Sequence, residues 1–545
     1  MTGTEEAPGG HGASGAVTAV DVAVVGYGPV GMVAAALLGQ AGHRVLVIER
    51  YAGLYNLPRA ASFDDETMRT LARLGVAEQL APKVRGQPTY EWRNGTGDLL
   101  IEQHFAERGG SGWAEWNMMY QPDLEEALDA VCRATPGVEV WHSSPVTALE
   151  QSGDEVTLTV GGPDGAAPRT VTARHVLACD GGNSFVRQAL GVEVRDFGFS
   201  EPWMVCDFRF RRPVEVPMAL QLGDPGHPTS IISLGPDHHR FSFMLDSAED
   251  FGTESAPERV WKRVAAHLTE EDAELIRVAT YTFRSLVAEE WRRGRVLLLG
   301  DAAHQMPPFL GQGMCSGIRD AQNVAFKLDL VLRGTAPEAL LDTYQSEREP
   351  HVRAVTDKGI ELGHLQTLRD PVRAAERDRV LLARRAAGQA PEPMRFPDMA
   401  EGLLAGEPCP GRGRISVQGV VDDGARRDRL DQVVGGGFHL LVEAGPLAAL
   451  ERAGLLGELA GAGVRVVALG EAVGGAEAHG VHRVRDAEGT YRAWFAELGC
   501  AAVAVRPDFY VYGSAGGPED AVRLAGELAS ALTSTGAATP AARTA

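Results

Sequence analysis

The sequence has few of the features that mark several large classes of protein. Positive charge is scarce, because 52 Lys and Arg residues stand against 73 Asp and Glu residues. The resulting formal net charge of −21 argues against nucleic acid or an anionic membrane as a partner. No apolar run reaches the roughly 18 residues of a membrane-spanning helix. We therefore expect a soluble, cytoplasmic protein that binds neither nucleic acid nor membrane.

Metal-binding and disulfide patterns are also missing. The 15 histidines form no H-E-x-x-H motif, and the sequence has no C-x-x-C pair. The six cysteines are scattered along the chain: Cys132, Cys179, Cys206, Cys315, Cys409 and Cys500. This pattern predicts no metal site, no dithiol chemistry and no disulfide framework, as is usual for proteins of a reducing cytoplasm.

A glycine-rich turn near residue 26 is the first chemical signal. Val22–Val25 is the short, β-branched run of a buried parallel strand, and Val30–Gln40 is typical of a helix. Between them lies a G-x-G-x-x-G motif made of Gly26, Gly28 and Gly31. Such glycines permit a tight turn and a close approach of backbone to a pyrophosphate, which the helix N-terminus also attracts. Glu49 ends the next strand, where a ribose hydroxyl needs an acceptor, so the pattern predicts a dinucleotide site without choosing between NAD and FAD.

Two later turns repeat this strand-to-helix arrangement. His175–Cys179 is strand-like and leads to Asp180-Gly181, and a second apolar strand leads to Gly300-Asp301. An acidic residue that follows a parallel strand lies at the carboxyl edge of the sheet, where a cofactor binds. The alternative interpretation of these residues is a plain turn followed by a helix cap. The glycine-rich segment 311–313 then precedes a helix predicted over Ser316–Leu332.

The middle of the chain has a different pattern. Residues 201–245 alternate between apolar and polar side chains, which is typical of an antiparallel sheet with one buried face. Such a sheet can cover a substrate cavity. Residues 256–278 have a helical pattern, so we expect the sheet to end before them.

The last part of the chain forms a further unit. After a linker at 408–414, Phe438–Val442 and Val464–Leu469 are predicted strands. The run from Leu469 to Gly475 has the wrong glycine spacing for a second nucleotide site. We therefore expect this unit to serve packing or dimerisation.

Some polar residues near the first motif have two interpretations. Asp64 and Asp65 precede a helix pattern. One interpretation is that one of them caps this helix, and the other is that its carboxylate faces a cofactor pocket. Arg59 either reaches a phosphate as a charged donor or lies in solvent.

Together these motifs resemble the class A flavoprotein monooxygenases, the FAD-dependent aromatic hydroxylases. The three FAD motifs of that family are matched, in order, by the Gly26 motif, by Cys179-Asp180-Gly181 and by Gly300-Asp301. The branch of 3-(3-hydroxyphenyl)propionate hydroxylase and phenol hydroxylase is the most similar. Motifs of that branch are matched by Pro58-Arg59-Ala60, Asp64-Asp65-Glu66, Gly311-Gln312-Gly313, Gly317-Ile318-Arg319-Asp320 and the run from Leu341 to Arg348.

The resemblance implies an α/β fold with three domains. A Rossmann-like FAD-binding domain is expected over 19–200 and 280–400, and an inserted antiparallel-sheet substrate domain over 201–279. A thioredoxin-like domain is expected over 406–529. Residues 1–18 and 530–545 are expected to be a disordered leader and a disordered tail.

The resemblance also implies an activity. The protein is expected to bind FAD non-covalently, to take electrons from NADPH or NADH, and to hydroxylate a phenolic ring with O2 through a flavin C4a-hydroperoxide. The expected partners are a small aromatic substrate, O2, NAD(P)H and, as a homodimer, a second copy of the chain. Three alternatives stay open: a tailoring hydroxylase of an aromatic polyketide, a flavoprotein reductase that does not use oxygen, and a non-catalytic FAD-binding sensor.

The family's functional residues can be placed on this sequence. For the group that polarises a substrate phenol no residue stands out, and Asp64, Asp65 and Tyr281 are candidates only. The expected FAD contacts are Gly26, Gly28, Gly31, Glu49, Arg50, Arg59, Gln121, Asp180, Gly181, Asp301, Pro308, Gly311, Gln312, Gly313 and Met314. No residue is expected to bind a metal.

Overall fold

A computed structural model describes residues 17–162, 166–389, 396–470 and 480–533. Its first strands are β1 (Thr18–Val25), β2 (Val45–Ile48), β3 (Ser62–Asp64), β4 (Val84–Gly86), β5 (Thr89–Asn94), β6 (Leu99–His104), β7 (Trp116–Met119), β8 (Val138–Trp141), β9 (Val146–Ser152), β10 (Glu155–Val160), β11 (Arg169–Ala178), β12 (Val194–Phe210) and β13 (Ala219–Gly223). They are followed by β14 (Thr229–Ser233), β15 (His238–Met244), β16 (Ala273–Ala288), β17 (Arg292–Arg293), β18 (Val296–Leu298), β19 (His304–Gln305), β20 (Val420–Asp422), β21 (Arg427–Arg429), β22 (Phe438–Val442), β23 (Val464–Leu469), β24 (Val481–Asp486), β25 (Ala502–Val505) and β26 (Val511–Ala515). The helices are α1 (Pro29–Gln40), α2 (Asp65–Arg73), α3 (Ala77–Leu80), α4 (Gln121–Ala134), α5 (Phe185–Ala189), α6 (Phe251–Glu254), α7 (Pro257–Val264), α8 (Gly313–Leu332), α9 (Thr343–Gln366), α10 (Pro371–Ala386), α11 (Leu430–Val434), α12 (Ala444–Ala453), α13 (Leu455–Gly461), α14 (Thr490–Leu498) and α15 (Pro518–Thr533).

The first sheet brings the three predicted turns together. Its strand order is β17-β18-β11-β1-β2-β8, and β18, β11, β1, β2 and β8 run parallel. Ala178 at the end of β11 lies between Val25 at the end of β1 and Leu298 at the end of β18. The turns that follow these strands therefore share one edge of the sheet, as the rule for cofactor sites in open α/β sheets requires.

A second sheet, with the order β19-β16-β12-β15-β14-β13-β5-β6, lies against the first unit. It differs from the sequence prediction in two ways. Strands β5 and β6 come from the segment assigned to the FAD-binding domain, because β5 pairs in parallel with β13. The helix expected over 256–278 is only Pro257–Val264, and from Ala273 the chain forms the long strand β16.

The two faces of this sheet have different surroundings. Met204, Cys206 and Phe208 on β12 pack with Val260 and Val264 of α7 in an apolar core. The alternate residues of the same strand, Trp203 and Val205, line the large cavity of the protein. The period-two alternation of a strand thus separates a structural face from a functional face.

The C-terminal unit has a seven-stranded sheet in the order β21-β20-β24-β23-β22-β25-β26. Strand β22 is parallel to β23 and antiparallel to β25, which is antiparallel to β26. Helices α12 and α13 connect β22 to β23, and α15 follows β26. This arrangement is consistent with the expected thioredoxin-like unit, and both predicted strands have the predicted bounds.

Residues 1–16, 163–165, 390–395, 471–479 and 534–545 lie outside the described residues. These include most of the expected leader and tail and residues 471–479 of the glycine-containing run. Helix α15 continues to Thr533, so residues 530–533 are helical and do not begin the expected tail. Across the described ranges, no helix is long and apolar enough to cross a membrane.

Buried ion pairs join the C-terminal unit to the rest of the protein. Arg69 on α2 contacts Asp431, with Nε and Oδ2 2.6 Å apart. Arg506 contacts Glu347 on α9 at 2.6 Å, and Lys327 on α8 contacts the same carboxylate at 2.8 Å. Because α8 begins at the cavity, this interface supports the element that shapes the site.

Candidate active site

A cavity of about 750 Å³ extends from the shared edge of the first sheet to the functional face of the second. Binding sites for small molecules and cofactors usually have about 300–1,000 Å³. Most of the predicted cofactor contacts line it: Gly26, Gly28, Glu49, Arg50, Arg59, Gln121, Asp180, Gly181, Asp301, Pro308, Gly311, Gly313 and Met314. Gly31 and Gln312 are not in the lining: Gly31 packs against the backbone of Gly26, and the side chain of Gln312 bonds to Asp64 and Arg319.

The glycine turn after β1 has the geometry that a pyrophosphate needs. Gly26 has φ +103°, and a Cβ there would lie 2.4 Å from the carbonyl oxygen of Cys179. Gly31 permits close packing, because its Cβ would lie 2.2 Å from the carbonyl oxygen of Gly26. Gly28 has no such restriction: its φ is −84°, and a Cβ would meet no protein atom within 4 Å. Only open cavity lies next to Gly28.

Glu49 links the glycine turn to the cavity. One carboxylate oxygen accepts the backbone N–H of Tyr27 at 2.8 Å, and the other accepts that of Tyr51 at 2.9 Å. Gln121 supports the next loop in a similar way, since its Oε1 accepts the backbone N–H groups of Arg59 and Ala60. Arg50 and Arg59 are exposed residues of the cavity wall.

Two carboxylates lie in the middle of the cavity wall. Asp180 accepts the backbone N–H of Val186 with Oδ2, whereas its buried Oδ1 has no partner among the described residues. Burial raises the pKa of Asp180, and the hydrogen bond of Ser184 opposes that rise. Asp301 has its carboxylate open to the cavity, and no protein hydrogen bond to it is seen in the described parts of the chain. Both carboxylates can accept hydroxyl groups of a bound cofactor.

Removal of the Asp301 carboxylate should weaken cofactor binding without changing the fold. A lost hydrogen bond to a charged partner costs about 1.5–3 kcal/mol, so Asp301→Ala is expected to weaken FAD binding about tenfold to a hundredfold. FAD titration of the apoprotein measures this effect. Asp154→Ala, at an exposed carboxylate paired with Arg295, is the matched control and should bind FAD normally. Equal affinities of the two variants would refute the assignment of Asp301.

The start of α8 forms the far end of the cofactor groove. Gly311 has φ +61°, and a Cβ there would lie 2.6 Å from Ser62 Oγ and 2.9 Å from the ring of Trp116. Helix α8 then begins at Gly313, with Met314 in the cavity wall. The free N–H groups and partial positive charge of this helix end therefore face the cavity, where they can stabilise a negative charge.

Asp64 and Asp65, two of the catalytic candidates, do not line the cavity. Asp64 caps α2 by accepting the backbone N–H of Thr67 at 2.9 Å, and it contacts Arg319 at 2.5 Å. Burial alone would raise the pKa of Asp64, but the Arg319 guanidinium holds it below its usual range. Burial and the neighbouring Asp64 raise the pKa of Asp65 to about 7. The structure thus supports the helix-cap interpretation for Asp64.

Arg319 and Asp320, from one of the motifs shared with the family, support the cavity wall from behind. Arg319 also contacts Glu66 at 2.6 Å and Gln312 Oε1 at 3.0 Å, which fixes the loop before α8. Asp320 accepts the backbone N–H of Gly300 at 3.1 Å and the guanidinium of Arg348 at 2.9 Å. These buried residues therefore hold the Gly300-Asp301 turn in place.

Tyr281, the third catalytic candidate, does line the cavity. The guanidinium of Arg277 donates a hydrogen bond to its hydroxyl oxygen. Arg277 and Arg59 also lie beside Tyr55, a cavity residue that the sequence analysis missed. Burial would raise the pKa of Tyr55, but the hydrogen bond and charge of Arg277 hold it below its usual range. Tyr55 and Tyr281 are therefore two phenols of the cavity wall that lie against Arg277.

The part of the cavity beneath the second sheet is an aromatic chamber. Its walls include the side chains of Tyr90, Trp116, Trp203, Phe283 and Phe309. Phe283 stacks on Trp203, with ring centroids 5.7 Å apart, and the ring of Trp116 lies so near Gly311 that a Cβ there would be 2.9 Å away. Of these residues only Trp203 falls in the alternating segment 201–245, and the other four were not among the predicted site residues.

Fold and site together define a nucleotide-binding flavoenzyme with an adjoining chamber for an aromatic substrate. The residues present fit FAD: glycines that leave room for a pyrophosphate, carboxylates with free oxygens, and two helix N-termini directed at one groove. A family model described as FAD binding domain matches residues 19–359, and one described as HcaD C-terminal domain matches residues 413–531. The chain belongs to this family of FAD-binding proteins and is an FAD-dependent, NAD(P)H-using aromatic hydroxylase.

Named relatives agree with this class. The chain is 48% identical over 521 residues to the probable NADH-specific resorcinol 4-hydroxylase of Rhodococcus jostii (strain RHA1), covering 94% of this chain and 95% of that protein. It is 34% identical over 511 residues to a 3-(3-hydroxy-phenyl)propionate/3-hydroxycinnamic acid hydroxylase of Klebsiella pneumoniae, covering 90% and 91%. The structure of aklavinone-11 hydroxylase with FAD and aklavinone superposes with a TM-score of 0.75 and 26% identity, covering 94% of this chain and 99% of that one. The expected class A hydroxylase family is confirmed.

Proposed function

We propose that this protein hydroxylates a small, uncharged dihydric phenol of the resorcinol type, with NADH as the electron donor. The observation that carries the proposal is the chemistry of the aromatic chamber. Its deep wall presents the neutral polar side chains of Gln221, Ser230 and Ser242. A ring with hydroxyl groups finds both aromatic contacts and hydrogen-bond partners there.

Two of the arginines that line the cavity, Arg240 and Arg277, already have partners and are therefore not free to bind a substrate carboxylate. Arg240 Nε contacts Asp207 Oδ1 at 2.7 Å, and Arg277 contacts the other oxygen of the same buried carboxylate at 3.4 Å. Arg240 also donates to the backbone oxygen of Pro58 at 2.8 Å. A substrate carboxylate bound by Arg240 or Arg277 would have to displace these contacts, whereas a phenol leaves them intact.

The residues of the chain have separate tasks in this proposal. FAD supplies, when bound, the electron transfer and oxygen activation that side chains cannot perform. Trp203, Phe283 and Phe309 exclude water from the reacting ring. Tyr281, whose oxygen accepts from Arg277, keeps its own proton available and is proposed to exchange it with the substrate phenol.

A substrate panel tests the proposal. The FAD-loaded protein is mixed with NADH or NADPH and with resorcinol, with 3-(3-hydroxyphenyl)propionate, or with a tetracyclic phenol. We expect resorcinol to raise NADH oxidation at least tenfold, because the groove must open to NADH and then close over the ring. We expect NADPH to be the poorer donor, since the Rhodococcus jostii relative is named as NADH-specific. A larger stimulation by the propionate would overturn the choice of a neutral substrate. A larger stimulation by the tetracyclic phenol would instead support a tailoring role.

A further inference from the structure

We infer that Gln221 is the residue that recognises the second hydroxyl of the substrate, a deepening that rests on the proposed function. Gln221 lies on β13 and is 2% exposed. Its side chain is in the wall of the aromatic chamber. A buried amide in an apolar surrounding requires partners for both its donor and its acceptor.

Only half of this requirement is met by the protein. Gln221 Nε2 donates to the hydroxyl of Tyr90 and, at 3.0 Å, to Ser230 Oγ. Both N–H groups of the amide are thereby used. The carbonyl oxygen Oε1 is buried and has no partner in the parts of the chain that the structure describes. The protein therefore leaves one acceptor of this wall residue without a partner.

The sheet holds this acceptor in a fixed position. Gln221 is directly opposite Ser230 on β14, and Ser230 is directly opposite Ser242 on β15. Tyr90 belongs to β5, the strand on the other side of β13. Anchors on both neighbouring strands leave the amide little freedom, which is the condition for a selective binding residue.

A binding site that offers a free hydrogen-bond acceptor but no free donor discriminates among aromatic substrates. A phenolic hydroxyl can donate a hydrogen bond to Gln221 Oε1, so a ring with a second hydroxyl gives this unpaired oxygen a partner. A ring that lacks this hydroxyl leaves the oxygen unpaired, and a carboxylate would bring a negative charge towards it. The site therefore favours resorcinol over phenol and over an aryl carboxylate.

The test compares resorcinol with phenol, which lacks only the second hydroxyl. Binding to the oxidised, FAD-loaded protein is followed by the change in flavin absorbance, and turnover by product formation. We expect Gln221→Leu to lower the preference for resorcinol, in kcat/KM and in affinity, by about tenfold or more, with phenol unchanged. Gln221→Glu keeps an acceptor and should retain more of the preference than Gln221→Leu. Gln103→Leu, opposite Tyr90 on β6 and outside the cavity wall, is the control and should behave as the unmodified protein.

The outcomes separate this inference from the proposed function. If the unmodified protein hydroxylates resorcinol and Gln221→Leu keeps the full preference, the role of Gln221 is wrong and the proposed function stands. If resorcinol binds but is not hydroxylated, the proposed function is wrong, and the binding preference of the variants still decides the role of Gln221. If neither ring changes the flavin absorbance, both are overturned. The flavin content of each variant shows whether it is folded.

Discussion

Gly28→Ala is expected to produce a folded protein that has lost its FAD. The methyl group would project into the open cavity beside the glycine turn, because no protein atom lies within 4 Å of its position. The backbone φ of −84° is allowed for alanine, so the apoprotein should not be strained. The second glycine of the motif lets backbone N–H groups approach the pyrophosphate. Loss of these charge-assisted hydrogen bonds should weaken FAD binding about a hundredfold or more.

The measurement combines FAD titration with thermal unfolding of the apoprotein. Gly457→Ala is the matched control, since a Cβ at Gly457 also meets no atom within 4 Å but lies in α13 of the C-terminal unit. It should bind FAD as the unmodified protein does. Normal FAD affinity of Gly28→Ala would contradict the placement of the pyrophosphate at this turn.

Glu347→Ala should destabilise the protein more than any surface substitution. The Glu347 carboxylate is fully buried between Lys327 at 2.8 Å and Arg506 at 2.6 Å. Burial lowers the pKa of Lys327 to about 8, and Glu347 opposes this effect. Without the carboxylate, Lys327 loses its ion partner, whereas Arg506 keeps Asp508 at 2.7 Å. Breaking a buried pair in this way costs about 3–5 kcal/mol. Because Arg506 belongs to the C-terminal unit, we also expect that unit to separate earlier on heating.

Denaturant unfolding followed by circular dichroism and by tryptophan fluorescence measures this loss. Glu349→Ala is the control on the same helix, where Glu349 pairs with Arg353 near the surface at 2.7 Å. Pairs of this kind contribute about 0–1 kcal/mol, so the control should unfold almost normally. If both variants were equally stable, the buried cluster would not hold the units together.

The nucleotide-binding half of the site could be predicted from the sequence because its signals are local. A β-branched run, three glycines at fixed spacing and a helix occur within residues 22–40, and the structure has β1 and α1 there. The backbone geometry at Gly26 and Gly31 follows from contacts within this unit and with the neighbouring β11 turn. Local patterns of this kind determine local structure, and parallel pairing then brings the turns together.

Other features depend on partners that are distant in the sequence. Strands β5 and β6 join the second sheet only because β13, more than a hundred residues later, pairs with β5. The apolar residues of 273–288 fit a helix or a strand, and pairing with β12 decides for the strand. Asp64 has the position of a helix cap in the sequence, but its contact with Arg319 comes from the tertiary fold.

The chamber was the least predictable part. Gln221 is one polar residue in a short alternating segment, and the sequence does not show that both its N–H groups are used within the protein. Only the sheet register, which places Ser230 opposite it, reveals an acceptor without a partner. Specificity residues of this kind are read from unsatisfied buried groups and not from motifs.

The central claim, that this protein is an oxygen-using hydroxylase of a phenol, is tested most directly by the origin of the new oxygen atom. The FAD-loaded protein is supplied with NADH, resorcinol and isotopically labelled O2, and the product is analysed by mass spectrometry. We expect a product with one added hydroxyl group whose oxygen carries the label. Label taken up from water instead, or NADH oxidation with no oxygen in the product, would contradict it.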